Sequence, residues 1–319
     1  MIRFISLLLI VAMTACFRED EPVVLPPPGE LQYAQVAMGS TYGRQYYFDL
    51  ETRDTTGMPF SSWDLCFSST PQDWQVWING GNQAYVALTT FDHLSEVKDT
   101  TELKWLMDAP SWHRDSTAIG AWMTHNYCYV LDRGPAFAEK VRYYKFQIRA
   151  LANSDYLLTY AALHDSAAAS VTIERLTDRH YLYFSFDHNG SVPFIEPAVD
   201  DWDLLFTRYR HVFTGQQPPL PYVVTGVLIN PSVAVAVDSI LGFDLIDYAQ
   251  AQQLTYVSQR NIIGYAWKYY DFSAQAFIVR SNLTYVIRDT KGIYWKLRFI
   301  DFYNENGEKG YPAFAFQRL

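Results

Sequence analysis

Two short strings constrain this chain more than any other feature: Trp63-Asp64-Leu65-Cys66-Phe67-Ser68 and Trp202-Asp203-Leu204-Leu205-Phe206-Thr207. In the second, Trp202, Leu204 and Phe206 alternate with Asp203, Leu205 and Thr207. The first set is wholly apolar and the second is mixed, and a period of two predicts a half-buried strand. Two copies of so specific a string predict a β-rich unit written twice.

The landmarks around each copy keep one order. Arg44-Gln45-Tyr46-Tyr47-Phe48 precedes the first string and Tyr181-Leu182-Tyr183-Phe184 the second. After them, Val76-Trp77-Ile78-Asn79 corresponds to Val227-Leu228-Ile229-Asn230. Gly120-Ala121-Trp122 corresponds to Gly264-Tyr265-Ala266-Trp267, and Tyr143-Tyr144-Lys145-Phe146 to Tyr294-Trp295-Lys296-Leu297. This order predicts an internal duplication, with a period far longer than a stacked solenoid unit. The fold class expected is all-β: two tandem antiparallel β-sheet domains, residues 31–175 and 176–319, with few helical turns. The competing reading is two unrelated β domains that share turn chemistry. Residues 94–107 are expected to hold one or two helical turns, and residues 166–174, small and polar, to bridge the copies.

Aromatics make up 17% of the chain, which suits broad sheet surfaces. The net charge of −9 and the lack of a basic cluster argue against nucleic acid as a partner.

Residues 1–15 read as a signal peptide. Arg3 supplies the positive start, and residues 4–12 are apolar but too few to span a bilayer. Met13-Thr14-Ala15-Cys16 resembles the lipobox of bacterial lipoproteins, which implies lipidation of Cys16. The other reading is an ordinary signal peptide with a chance cysteine. Residues 16–30 then form a tether, with Pro26-Pro27-Pro28 favouring a semi-rigid polyproline spacer. The acidic run Glu19-Asp20-Glu21 resembles the surface-export signal of Bacteroidetes lipoproteins. The partner expected is the lipid bilayer, held through the Cys16 anchor. The place expected is the cell envelope, as a surface-exposed outer-membrane lipoprotein. Cys66 and Cys128 remain, to be read either as a disulfide or as two buried thiols.

Several of these strings together resemble the HmuY family of haem-binding surface lipoproteins of Bacteroidetes. They are Tyr183-Phe184-Ser185-Phe186, the string from Trp202 on to Arg208-Tyr209, and Tyr285-Val286-Ile287-Arg288-Asp289-Thr290-Lys291-Gly292. Tyr294-Trp295-Lys296-Leu297-Arg298-Phe299 and the aromatic residues 310–316 complete the set. The resemblance covers residues 181–319 well and 42–160 more faintly. It implies an all-β fold, a lipid anchor, haem as cofactor and delivery to a TonB-dependent receptor. It also implies two iron-binding histidines, one just after the Gly-x-Trp stretch and one upstream. The first copy offers His125 and His93 at those places, with Met123 beside the former, and such ligand pairs suit haem iron. The bland alternative is that all three are loop residues. The second copy has neither His nor Met in residues 237–248 or 267–272. The alternative function is therefore a non-haem binding module, for glycan, peptide or a partner lipoprotein, that kept the fold and lost the ligands.

No enzyme is expected and no catalytic residue stands out. His113-Arg114-Asp115 and His164-Asp165 have no nucleophile at a motif spacing, and no Gly-rich phosphate loop or Cys-x-x-Cys knuckle occurs. Asp203 is expected to pair with Arg208 or Arg298. Trp74, Trp77, Trp105 and Trp112 read as sheet core, or as stacking surfaces for a porphyrin or a sugar ring.

Overall fold

The computed structural model describes residues 27–188 and 195–319, so the expected signal peptide and Cys16 lie outside the described residues. Strands β1 (Gln32–Gln35), β2 (Arg44–Phe48), β3 (Thr55–Pro59), β4 (Leu65–Ser68), β5 (Val76–Ile78) and β6 (Tyr85–Leu88) come first. Then follow β7 (Tyr129–Asp132), β8 (Tyr143–Ala150), β9 (Tyr156–Ala162), β10 (Ala169–Ile173) and β11 (Tyr181–Phe184). Next are β12 (Leu204–Phe213), β13 (Leu220–Ile229), β14 (Ala234–Asp238) and the helix α1 (Tyr248–Gln253). The chain closes with β15 (Lys268–Asp271), β16 (Ala276–Val279), β17 (Thr284–Arg288), β18 (Tyr294–Tyr303) and β19 (Lys309–Arg318). The all-β expectation is borne out. Residues 94–107 hold only a 3-10 turn, Leu94–Glu96. The expected bridge at 166–174 is in fact largely β10, which pairs with β9.

The strands build two sandwiches of like plan. One packs the sheet β10-β9-β8-β7-β6 on β11-β4-β5, around Leu65, Phe67, Trp122, Phe146, Tyr156 and Phe184. The other packs β1-β19-β18-β17-β14 on β13-β12-β2-β3, around Phe48, Leu204, Phe206, Trp267, Phe299 and Phe314. Period-two alternation then fixes what the outer faces of the small sheets do. Tyr47, Cys66, Trp77, Tyr183, Leu205 and Leu228 point away from their own sandwiches and meet each other in a third core. The two small sheets thus lie back to back, and the Tyr47 and Tyr183 hydroxyls touch across the seam at 3.1 Å.

This corrects the half-buried reading of the Trp202 strand. Leu204 and Phe206 enter one core, while Leu205 and Tyr209 enter the seam, so both faces are buried. Trp202 itself sits just ahead of β12, where the alternation does not yet hold, and joins the seam. Its ring packs T-shaped on Tyr47 with centroids 4.8 Å apart, as Trp63 packs on Tyr183 at 5.1 Å.

Strand pairing also crosses the sequence division near residue 176. β2 pairs with β12 and β1 with β19, so the first strands of the chain complete the C-terminal sandwich. β11 in turn pairs with β4 and closes the first sandwich. Gly29, at the end of the expected tether, already donates its N–H to the Arg318 carbonyl at 3.0 Å.

The recurring Trp-Asp string has a bonding reason. Asp64 N–H donates to Phe184 O at 2.8 Å and Asp203 N–H to Phe48 O at 2.9 Å. Each carboxylate then accepts an N–H just past the neighbouring strand, Phe186 for Asp64 (2.9 Å) and Leu50 for Asp203 (2.8 Å). The Asn79 and Asn230 side chains donate to the carbonyls of Trp63 (2.9 Å) and Trp202 (2.8 Å). Trp, Asp and Asn therefore form a clamp that holds the incoming strand. The expected ion pair of Asp203 does not form. Arg208 Nε donates to Gly81 O at 2.8 Å, and Arg298 lies 3.8 Å from Asp244. Asp64, by contrast, is paired with Arg133 at 2.7 Å. Cys66 and Cys128 are buried free thiols in different cores, which decides between the two readings.

Candidate functional site

The loops at one end of the first sandwich carry the residues singled out in the sequence. His93 lies in the β6–β7 connection, just before the 3-10 turn Leu94–Glu96, and its side chain is 76% exposed. Asp92 Oδ1 sits 3.7 Å from its Nε2. Met123 is exposed in the 3-10 turn Trp122–Thr124, and His125 follows that turn half-buried. Trp122 anchors the turn: it is buried, and its indole N–H donates to Trp74 O at 2.7 Å.

A residue that the sequence did not flag ties these loops together. Gln147, on β8, donates its side-chain amide to Asp92 O at 3.2 Å and to Asn126 O. Those two carbonyls belong to the neighbours of His93 and His125, so one glutamine draws both histidine loops to the same strand. Phe91 and Tyr127 flank them, each 43% exposed, and Tyr127 stacks on the His125 ring at 5.3 Å. The surface offers two imidazoles, a thioether and two aromatic faces, a set that suits a flat metallated ring.

His125 is engaged in this conformation. Its Nδ1 accepts the Tyr127 N–H at 3.3 Å. Its Nε2 lies 3.4 Å from the Tyr129 hydroxyl, which itself donates to Ile119 O at 2.9 Å. The tyrosine proton is thus spoken for, and the geometry calls for a neutral imidazole that carries its proton on Nε2. To take iron through Nε2, the ring would have to leave Tyr129 and carry its proton on Nδ1 instead, giving up the Tyr127 N–H contact. Both contacts are near the long limit of hydrogen bonding, so that rotation is cheap. His93 needs no such release. Among the described residues no group of three or more His, Cys, Asp or Glu gathers to hold a bare metal ion.

The corresponding end of the second sandwich differs. Gly242 precedes the 3-10 turn Phe243–Leu245, and Tyr269, Tyr270 and Phe272 follow the buried Trp267. Trp267 is as firmly seated as Trp122, stacked on Phe299 at 4.0 Å. Ile240 (91% exposed), Leu245 (69%) and Phe272 (86%) present apolar surface at this end, where residues 237–248 and 267–272 hold neither His nor Met.

The other aromatics sort by burial. Trp77 belongs to the seam and Trp74 packs against Trp122 and Tyr156, both in sheet core. Trp105 packs on Tyr143. Trp112 is half-buried and lies parallel to Trp77 at 4.9 Å.

The family model described as HmuY protein matches residues 222–316, from β13 to β19. No curated protein matches the sequence. Among solved structures, apo PinO from Porphyromonas gingivitis is 10% identical, with a TM-score of 0.34 over 91% of this chain and 98% of that one. A putative HmuY-like heme binding protein from Bacteroides vulgatus is 18% identical, with a TM-score of 0.25 over 54% of this chain and 90% of that one. The apo HmuY analog of Tannerella forsythia is 11% identical, with a TM-score of 0.26 over 92% of this chain and 98% of that one. The family match falls on the C-terminal sandwich, where the sequence resemblance was densest.

Proposed function

We propose that this chain is a surface-anchored lipoprotein that captures haem or a related tetrapyrrole, with the ligand seated on the first sandwich. His125 and His93 are the residues that would hold the iron, and Met123 is the alternative partner. The observation that carries this reading is the Gln147 bridge, which holds two histidine loops together beside exposed Phe91 and Tyr127. Bound haem would supply an iron that accepts two side-chain ligands. The protein's part is to release His125 from Tyr129, bring His93 across, and cover the ring with aromatic faces. Cys16 would carry the acyl chains and residues 16–30 would space the body from the membrane. Transfer to a TonB-dependent receptor completes the proposal.

The test is a Soret titration of the soluble chain with haemin. A saturable red-shifted band is expected, altered in His125→Ala and weakened in His93→Ala. A flat titration removes the proposal. A second reading keeps the fold and drops haem, leaving a module for glycan, peptide or a partner lipoprotein. The second sandwich favours it, since residues 237–248 and 267–272 hold neither His nor Met and expose Ile240, Leu245 and Phe272 instead. Flat haemin titration together with saturable binding of one of those partners would select it.

A further inference from the structure

Beside the aromatic seam a narrow cleft opens between the two small sheets. Some 40 Å³ of it is roomy enough for ordered solvent, about three waters or one small anion. Three arginines line it: Arg208 and Arg210 from β12, and Arg260 from the α1–β15 connection. Arg210 and Arg260 are only 4% and 6% exposed.

Their donors are not used up. Arg210 Nη1 donates to Ala84 O at 2.8 Å, but its buried Nη2 has no hydrogen-bond partner among the described residues. Arg260 leaves both Nε and Nη1 buried and unpartnered. The indole N–H of Trp63, which lines the same cleft, is also open. A buried guanidinium with open N–H groups is costly unless something negative meets it.

Asp108 and Glu196 attract these guanidiniums across space, but neither accepts a hydrogen bond from their open N–H groups. Asp108 lines the cleft, yet its two oxygens accept the N–H groups of Ile78 and Ala118, both at 2.7 Å. Glu196 accepts the Tyr181 N–H at 3.0 Å and the His180 N–H at 3.4 Å. Burial pushes Asp108 up to about 7 and Glu196 up to about 8, so near neutral pH both carry reduced charge.

Arg260 is held in place from below. Its guanidinium lies 3.2 Å above the Trp112 ring, which rests in turn on Trp77. Trp112 adopts φ +54°, a left-handed conformation that a bulky residue takes only when its surroundings impose it. Trp112 and Arg260 also form the wall of a shallower groove of about 630 Å³, with Tyr181 and His113.

We propose that this cleft is a binding site for a small oxyanion, a carboxylate or a phosphate, received by the open N–H groups of Arg260 with Arg210 and Trp63 lining the same space. The groove beyond Trp112 gives room for the rest of a molecule that bears such a group. The site uses none of His93, His125 or Met123, so it is independent of haem capture.

The test is a titration of the full chain with sodium phosphate and, separately, sodium acetate at constant ionic strength, with sodium chloride as control. Tryptophan fluorescence and the thermal midpoint are read together. A saturable change with at least one oxyanion, absent with chloride, is expected. The arm that saturates tells whether phosphate or carboxylate is preferred. Arg260→Gln is expected to weaken binding about tenfold or more, and Arg260→Lys less. No saturation by either anion, or wild-type affinity in Arg260→Gln, overturns the proposal. Should Arg260→Gln fail to fold, crystals of the unaltered chain soaked in selenate decide. Anomalous density at Arg260 supports the site, and its absence there overturns it.

Discussion

The two sandwiches share their load-carrying bonds and differ in their loops. Lys145 Nζ donates to Val97 O at 3.1 Å, and Lys296 Nζ donates to Ile246 O at 2.9 Å. Val86 bridges to Leu106 as Val235 bridges to Val257. Counted from those shared points, His93 stands where Gly242 stands, and Gln147 where Arg298 stands. Counted from the buried tryptophans, His125 stands where Tyr270 stands. Backbone geometry explains part of the contrast. His93 is extended, at φ −120°, whereas Gly242 has φ +81°, a conformation that a histidine adopts only under strain. Arg298 turns to Asp244 and the Phe243 ring instead of spanning two loops as Gln147 does. A packed sheet interior tolerates little change, while the loops at its end are free to gain or lose a ligand set.

That contrast can be broken most sharply by removing the strands that cross between the halves. Deletion of residues 27–59 takes β1, β2 and β3 from the second sandwich and leaves the first with all its strands. Limited proteolysis should then leave a resistant core from residues 65–184, with 204–319 digested. Survival of 204–319 would show that the second sandwich closes without them.

A smaller effect separates the two Trp-Asp clamps. Arg133 is fully buried, bonded to Asp64 and Asp187, and its guanidinium lies 3.7 Å from the Phe137 ring centre. Arg133→Met strands Asp64 in the core, and urea denaturation should record a loss of about 3–5 kcal/mol. Asp203 has no such partner. Asp203→Asn keeps an acceptor for the Leu50 N–H and should change stability by less than about 1 kcal/mol at pH 5.

The smallest effect lies in pH. Burial, reinforced by the charges of Asp49 and Asp289, raises the Asp203 carboxyl to about 7 against the opposing Leu50 and Lys291 interactions. The folded state therefore holds this proton more tightly than the unfolded state, whose carboxyl titrates near about 4. The stabilisation is complete below about pH 4 and is lost as pH rises towards 7. Asp203→Asn should flatten the fall in thermal midpoint across that window. An unchanged slope would show that other groups set it.

Much of this could be read from the chain beforehand. The Trp-Asp and Lys-bearing strings mark clamps and sheet interiors, because burial restricts what can stand at those places. The both-faced burial of β12 was not legible: Leu205 opposite Leu204 looks like a mixed face until a second small sheet is known to lie against it. The pairing of β2 with β12 was equally hidden, since local pattern marks a strand and not its distant partner. At the site, His93 and His125 were visible as residue types. Gln147 was not, because a lone glutamine on a strand reads as a solvent-facing residue. Trp112 and Arg260 lie in separate loops, and only the tertiary fold stacks them.

The meeting of β1 with β19 has a consequence for assembly. A chain delivered N-terminus first can complete β4 to β11 from contiguous residues, whereas the β2–β3 pair waits for β12 and β1 waits for β19. β2 keeps an exposed pairing edge until β12 is made, and β1 keeps its own until β19 follows. Truncation at the far end should accordingly be felt at the near end, as aggregation seeded by the opening strand rather than as simple loss of a tail.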